Sequence, residues 1–555
     1  MSAKVTRACD ACRVRKVRCS GDQPCAQCAH LNLACAFAPP PAKRKPGVRG
    51  RLVAQLRNKT AAEVTNGRPG AAAVSITSPA AASTSSSASS PTSGGAVQLP
   101  AVTSIAGIVD SNHAVSPRFE LAPAIGGGGY SQDFFMRLLP EYDKLVYPVN
   151  PVLTPDELRA SIQNMHASYE DAALVHAFGA VTINLTQTSW TLHGDIAAQM
   201  TSLIQYSLWA HRKAEMGRDT DAHYLQCEMP MTVKRVMVGI WNEISLMAFK
   251  RFDRSFASLR ESITMIQMLN IHQYSEDNPC GLSRREISRQ QRMYWEAYIH
   301  ERFMCIMSGF PCTMIPLRTG LPMTDADVPP YVTVGFNRLI RLFQIMDPPL
   351  LAHWTAQTMP DAPTMTAQWI ESKQAQLDAD EAETADAARD LSARGAGSLS
   401  EEQHVDLFVT RLWLRTLVWQ LALSHGLLRS APPRDAHEGL SLHFPAQRLS
   451  AQLRGLVSRL GNMSTFVIHG SGILQKLFEI TSTVADVLAL PRGPGQTQEE
   501  ARARIEDFLF LVRFIFGFER TQKHQRDYLR EKLDALREMY TVVDFGDLAG
   551  SPAAR

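Results

Sequence analysis

At 555 residues, 45% hydrophobic and 20% charged with a net charge of +3, the chain has the length of about three to five domains and a globular composition. Its charge is uneven: residues 1–60 carry 13 Lys and Arg against Asp10 and Asp22, a local net of +11, while the remainder carries −8. Arg415, Gln420 and His425 break the apolar run at 412–428, Arg513 breaks that at 508–518, and MSAKVTRACD lacks an apolar secretory core, which argues against a membrane span and for reduced thiols inside the cell.

Six of the ten cysteines lie between positions 9 and 35, as Cys9-x2-Cys12-x6-Cys19-x5-Cys25-x2-Cys28-x6-Cys35. This is C-x2-C-x6-C written twice. Structural zinc takes four ligands in a tetrahedron, so two zinc ions need eight ligand positions from six sulfurs, and two sulfurs must bridge. The internal repeat nominates Cys9 and Cys25 for that role. Rival arrangements are a disulfide knot, which the reducing compartment opposes, and a single-zinc ribbon using Cys9, Cys12, Cys25 and Cys28. A segment this short has almost no apolar core and needs metal to fold.

Between Cys12 and Cys19 stand Arg13, Arg15, Lys16 and Arg18, four cations in six positions, whereas Ala29–Ala34 in the second half carries none. One half is thus suited to a polyanion and the other to packing. The residues C-D-A-C-R-V-R-K-V-R-C-S-G-D-Q-P-C-A-Q-C resemble the DNA-binding domain of the fungal binuclear zinc cluster transcription factors, the galactose-regulator type. The resemblance implies that the first helix enters the major groove end-on. It implies that Lys16, with Arg15 beside it, reads a CGG triplet, and that Arg13 and Arg18 hold phosphates. Pro24 matches the family's proline in the loop between the halves. The family's commoner heptad repeat straight after the cluster is absent here.

The expected domains are the cluster at 1–38, a basic linker at 39–60 serving as a nuclear localisation signal or as further phosphate contacts, and an Ala/Ser/Pro/Gly-rich disordered linker at 61–129. Then follow a helical regulatory domain at 130–370, an acidic flexible loop at 371–402 with nine acids against three bases, and a C-terminal helical region at 403–548. Thr154-Pro155-Asp156-Glu157, Ser283-Arg284-Arg285-Glu286 and Thr497-Gln498-Glu499-Glu500 each mark a helix start by pairing an N-cap hydroxyl with an acceptor three residues on. The fold class expected is mostly α: a small zinc module, a disordered linker and a large all-α regulatory domain. Arg292, Trp295, Glu301-Arg302, Gly309, Pro311, Leu321-Pro322 and Asp325–Pro329 resemble the fungal transcription factor regulatory domain, the middle homology region. In that resemblance these residues are structural.

No enzyme is expected. His300-Glu301 lacks the second histidine of H-E-x-x-H, His437–His443 spaces it wrongly, no Gly-Lys pair exists for a phosphate loop, and His469-Gly470-Ser471-Gly472 lacks a third glycine. Cys227, Cys280, Cys305 and Cys312 read as buried thiols. The reading is a nuclear, sequence-specific regulator of RNA polymerase II genes holding two zinc ions. Its expected partners are double-stranded DNA, a second copy of itself, transcription machinery or coactivators, and a small-molecule effector. The alternatives are an interaction scaffold whose zinc module binds nucleic acid nonspecifically, and an enzyme with an accessory DNA-binding head. The acidic, apolar 539–548 segment reads as activating, or as the fraying end of a packed helix.

Overall fold

The computed structural model describes residues 8–14, 19–31, 34–37, 129–187, 190–216, 229–275, 277–279, 281–356, 364–460, 464–490 and 496–540. They belong to two compact units, Met1–Gln98 and Leu99–Arg555. Both expected linkers, 39–60 and 61–129, lie outside the described residues except for Gly129, as do positions 541–548 of the acidic C-terminal segment.

The first unit holds two short helices, α1 (Asp10–Val14) and α2 (Ala26–His30), the latter N-capped by the Cys25 thiol. Apart from cysteines, its only buried apolar side chain among the described residues is Leu31.

The second unit is helical throughout, and among its described residues there is no strand, only an isolated bridge between Arg429 and Ser441. Its N-terminal helices are α3 (Pro155–Asn164), α4 (Tyr169–Thr186), α5 (Asp195–Met216), α6 (Val233–Ala248), α7 (Phe252–Met268) and α8 (Arg284–Ser308). Every residue of α4 from Asp171 to Leu185 is buried. A helix apolar on all sides belongs at a centre, and α4 is enclosed by α3, α5 and α6. Helices α6 and α7 approach so closely that a Cβ on Gly239 would lie 2.0 Å from Ser262 Oγ. In that space Ser258 donates to the Gly239 carbonyl at 2.9 Å and Ser262 to the Val236 carbonyl at 3.2 Å.

The three marked helix starts are present. Thr154 and Thr497 form complete capping boxes with Glu157 and Glu500, and Ser283 accepts from the Glu286 amide. Polar residues of α8 tie down irregular chain on either side of it. Arg292 donates to the Pro151 carbonyl at 2.6 Å and pairs with Asp325 at 3.2 Å, while Trp295 Nε1 donates to the Gly320 carbonyl at 3.1 Å. Glu301 accepts from the Thr313 and Met314 amides, each at 2.8 Å. Arg302 stacks 3.2 Å from the Tyr298 ring centroid, and Gly309 ends the helix at φ 72°.

The remaining helices are α9 (Pro330–Gln344), α10 (Pro348–Ala356), α11 (Ala367–Ala393), α12 (Glu401–Ser424), α13 (Ser450–Arg459), α14 (Gly470–Leu488), α15 (Gln498–Phe516) and α16 (Lys523–Met539). Helix α14 lies against α12, α15, α16 and α6, joining the two halves of the unit. The acidic loop expected at 371–402 is instead mostly α11, a 27-residue helix capped by Thr366. Its buried positions Ile370, Lys373, Gln374, Leu377, Asp380, Thr384 and Leu391 recur at helical spacing, and its acids face solvent or meet cations from other helices.

One buried acid makes the body sensitive to pH. Glu479 on α14 accepts the Trp413 indole N–H at 2.8 Å, while its other oxygen has no hydrogen-bond partner among the described residues. Burial pushes its carboxyl from 4.5 up to about 7. A raised folded-state value means that its contribution is complete below the unfolded value and is lost as pH rises through about 7. Glu479→Gln is expected to stabilise the body at pH 8 by up to ~3 kcal/mol and to change little at pH 4.5. Urea midpoints at both pH values check this, and equal shifts at both would refute the assignment.

Candidate metal centre and nucleic-acid head

The six N-terminal thiols are brought together by a repeated backbone pattern. The Cys12 amide donates to Cys9 Sγ and the Cys28 amide to Cys25 Sγ, both at 3.4 Å. The Cys9 amide donates to Cys19 Sγ at 3.5 Å and the Cys25 amide to Cys35 Sγ at 3.2 Å. Each half therefore wraps its own three sulfurs in the same way, as the doubled spacing requires. Gln23 Nε2 reaches the Cys35 carbonyl at 3.0 Å, the Asp10 amide reaches the Ala36 carbonyl at 2.7 Å, and the Gln23–Pro24 peptide is cis.

The sulfurs form two groups, Cys9/Cys12/Cys19/Cys25 and Cys9/Cys25/Cys28/Cys35, each with all ligand atoms within 4.8 Å of one another. The two groups share Cys9 and Cys25, whose sulfurs are 3.7 Å apart. Cys12 to Cys25 is 3.4 Å and Cys9 to Cys28 is 3.5 Å. A tetrahedral zinc with arms of ~2.3 Å has sulfur–sulfur edges of about 3.8 Å, so the donor set fits two edge-sharing tetrahedra. Burial pushes the Cys9, Cys12 and Cys28 thiols up. At Cys25 burial acts in the same sense but is outweighed by the Cys28 amide and the surrounding thiols, leaving it at about 6. Thiols this crowded cannot all ionise unaided, and a bound divalent cation deprotonates them outright.

Of the cationic segment, Arg15, Lys16 and Arg18 lie outside the described residues, and of Arg13 only the backbone within α1 is described. In the body, the near-miss histidine motifs serve packing. His300 is clamped between Glu243 (2.7 Å) and Glu296 (3.2 Å), and His437 caps a short turn while meeting Asp378 at 2.9 Å. His211, Glu215 and Glu261 converge in metal-like fashion, but the buried Arg235 guanidinium reaches His211 at 3.2 Å and Glu215 at 2.6 Å, supplying the cation. Cys305 is buried and Cys312 half-buried, while Cys227 and Cys280 lie outside the described residues. No helix among the described residues is long and apolar enough to cross a membrane.

Residues 7–45 match the model of the fungal Zn(2)-Cys(6) binuclear cluster domain, a domain that binds two zinc ions. The chain is 22% identical over 272 residues to a probable sucrose utilization protein of Candida albicans, covering 48% of this chain and 49% of that one. It is 45% identical over 40 residues to a maltose fermentation regulatory protein of Saccharomyces cerevisiae, covering 7% of this chain and 8% of the relative. With the activator of stress genes 1 of the same yeast it shares 49% identity over 37 residues, 7% of this chain and 4% of the other. The chain thus spans about half the length of the first of these relatives and under a tenth of the other two. No solved structure matches it.

Proposed function

We propose that this chain, whose residues 7–45 carry a fungal Zn(2)-Cys(6) binuclear cluster domain, is a zinc-dependent regulator of RNA polymerase II transcription that acts in the nucleus and reads CGG-type half-sites. The observation carrying this reading is the pair of sulfur groups sharing Cys9 and Cys25, which anchors a segment rich in Arg and Lys between two metal ligands. Cys9 and Cys25 bridge the two zinc ions. Lys16, three residues before Cys19, reads base edges with Arg15, while Arg13 and Arg18 hold phosphates. The helical body regulates the head's output, by taking an effector or by masking an activating segment. Two of the similar proteins are named for sucrose utilization and maltose fermentation, so sugar-utilization genes are the first targets to assay.

The test is binding of Lys16→Ala to a CGG-containing duplex and to a scrambled one. Losing a base contact is expected to cost about 1 to 3 kcal/mol on the CGG site and erase the preference, leaving nonspecific binding largely intact. Arg13→Ala or Arg18→Ala is expected to weaken all sequences alike and to reduce the salt slope by roughly one charge. Full discrimination retained by Lys16→Ala would remove the base-reading role.

A further inference from the structure

A cavity of about 210 Å³ opens where four distant stretches of the body meet: the chain at 190–193, the end of α6 with Lys250, the first turns of α14, and the α15–α16 turn at 519–525. Cavities of ~150 Å³ already admit a six-membered ring. Met247, Ala248 and Leu474 give this one apolar walls, and its charges are out of balance.

Lys250 is half-buried, and no hydrogen bond or ion pair engages its ammonium among the described residues. Burial alone lowers its proton affinity. It stands at φ 59°, closing α6 through its amide to the Met247 carbonyl at 3.0 Å. That backbone position favours glycine or asparagine, so a lysine there is retained at a conformational cost. Arg520 lies on the Trp190 ring, 4.8 Å from its centroid, and spends two donors on the carbonyl and side-chain oxygens of Asn184. Among the described residues no carboxylate pairs with it, and burial holds it down at about 10. Guanidinium has five donors, so three remain. The Trp190 ring, 6% exposed, forms part of the wall. The carboxylate lining the cavity is the exposed Glu519.

Two incompletely compensated cations around one space are costly unless something negative enters it. We propose that this cavity binds a small organic anion, a carboxylate- or phosphate-bearing metabolite that takes Lys250 and Arg520 as partners and rests its apolar part on Met247 and Leu474. A second cavity, lined by Glu296, His300, Asp406 and Lys476, differs in kind, because His300 and Lys476 already have acidic partners there. The assignment stands on the cavity itself and does not depend on DNA recognition. Through the effector reading above, occupancy would be linked to the head's output.

The experiment is thermal unfolding of the zinc-loaded full chain in sodium phosphate, sodium citrate or sodium benzoate against sodium chloride at equal ionic strength. Phosphate distinguishes phosphoryl from carboxylate recognition, and benzoate probes the apolar wall. The expected result is a saturable rise in the body's Tm with at least one of the three, lost in Lys250→Gln and in Arg520→Gln. Glu519→Gln is expected to tighten apparent affinity by up to about fivefold. In chloride alone Lys250→Gln should melt at or above the wild-type temperature, because the ammonium it removes pairs with no acid among the described residues; this separates loss of binding from loss of fold. Equal shifts in both variants would place the anions on the basic head or elsewhere and overturn the proposal, as would no shift with any of the three. DNA affinity of the same variants, measured separately, reports on the regulator reading and not on this one.

Discussion

Cys9→Ala or Cys25→Ala is expected to abolish both zinc sites, whereas Cys12→Ala or Cys28→Ala strips one site first. Cys9 and Cys25 belong to both sulfur groups, while Cys12 belongs to one and Cys28 to the other. The consequence is large because the head has little else to hold it: its buried described side chains are cysteines and Leu31. Zinc in small domains supplies roughly 10–16 kcal/mol of apparent binding energy, which is also the folding energy. Metal content per chain and circular dichroism of the head check this. Two zincs in the wild type, none in Cys9→Ala and one in Cys12→Ala under mild chelation is the expected series. The body's thermal transition should be unchanged throughout. One zinc per wild-type chain, or a full-affinity zinc surviving in Cys9→Ala, would end the bridged arrangement.

The second large effect is expected at Asp380 on α11. One of its oxygens pairs with Arg338 of α9, and the other accepts Arg411 Nε at 3.0 Å and Nη2 at 2.7 Å from α12. Thr384 Oγ1 accepts from both arginines at 3.1 Å. All three charged side chains are at least nine-tenths buried. Removing the shared anion leaves Arg411 buried without its carboxylate and Arg338 with only the exposed Glu383 at 2.8 Å, and Asp380→Ala should destabilise the body by about 3 kcal/mol. Replacing all three residues together by apolar ones of similar volume should cost far less, because buried ion clusters gain little over good packing. Urea unfolding of the single and triple variants checks both statements. A single variant within ~1 kcal/mol of wild type would show that the network is solvated.

The same cluster explains where the sequence could be read and where it could not. The head was legible because six cysteines at doubled spacing leave almost no freedom in how four-coordinate metal is supplied. Helix starts were legible at Thr154, Ser283 and Thr497 because a capping hydroxyl and its acceptor lie three residues apart and act locally. Helix α11 was hidden by its composition. Four of its buried positions are Lys373, Gln374, Asp380 and Thr384, so counting acids suggested a solvated loop while the helical period ran through polar residues. What satisfies them, Asp347, Arg338 and Arg411 among others, lies tens of residues away. The roles of Arg292, Glu301 and Arg302 were legible as structural through resemblance, but their backbone partners had no sequence signal. The cavity at Lys250 and Arg520 was invisible for the same reason: Lys250 follows α6, whereas Glu519 and Arg520 sit in the α15–α16 turn far along the chain.

The Arg520–Asn184 contact joins residues 336 positions apart. At synthesis rates of roughly 5–20 residues per second, Asn184 waits on the order of 20–70 s for its partner to be made. Helices α4, α5 and α6 can assemble meanwhile, but the space around Trp190 has no floor until the α15–α16 turn arrives. A chain cut before that turn therefore leaves the apolar flank of Met247 and Leu474 uncovered. The cavity exists only in a chain translated through the turn at 519–525.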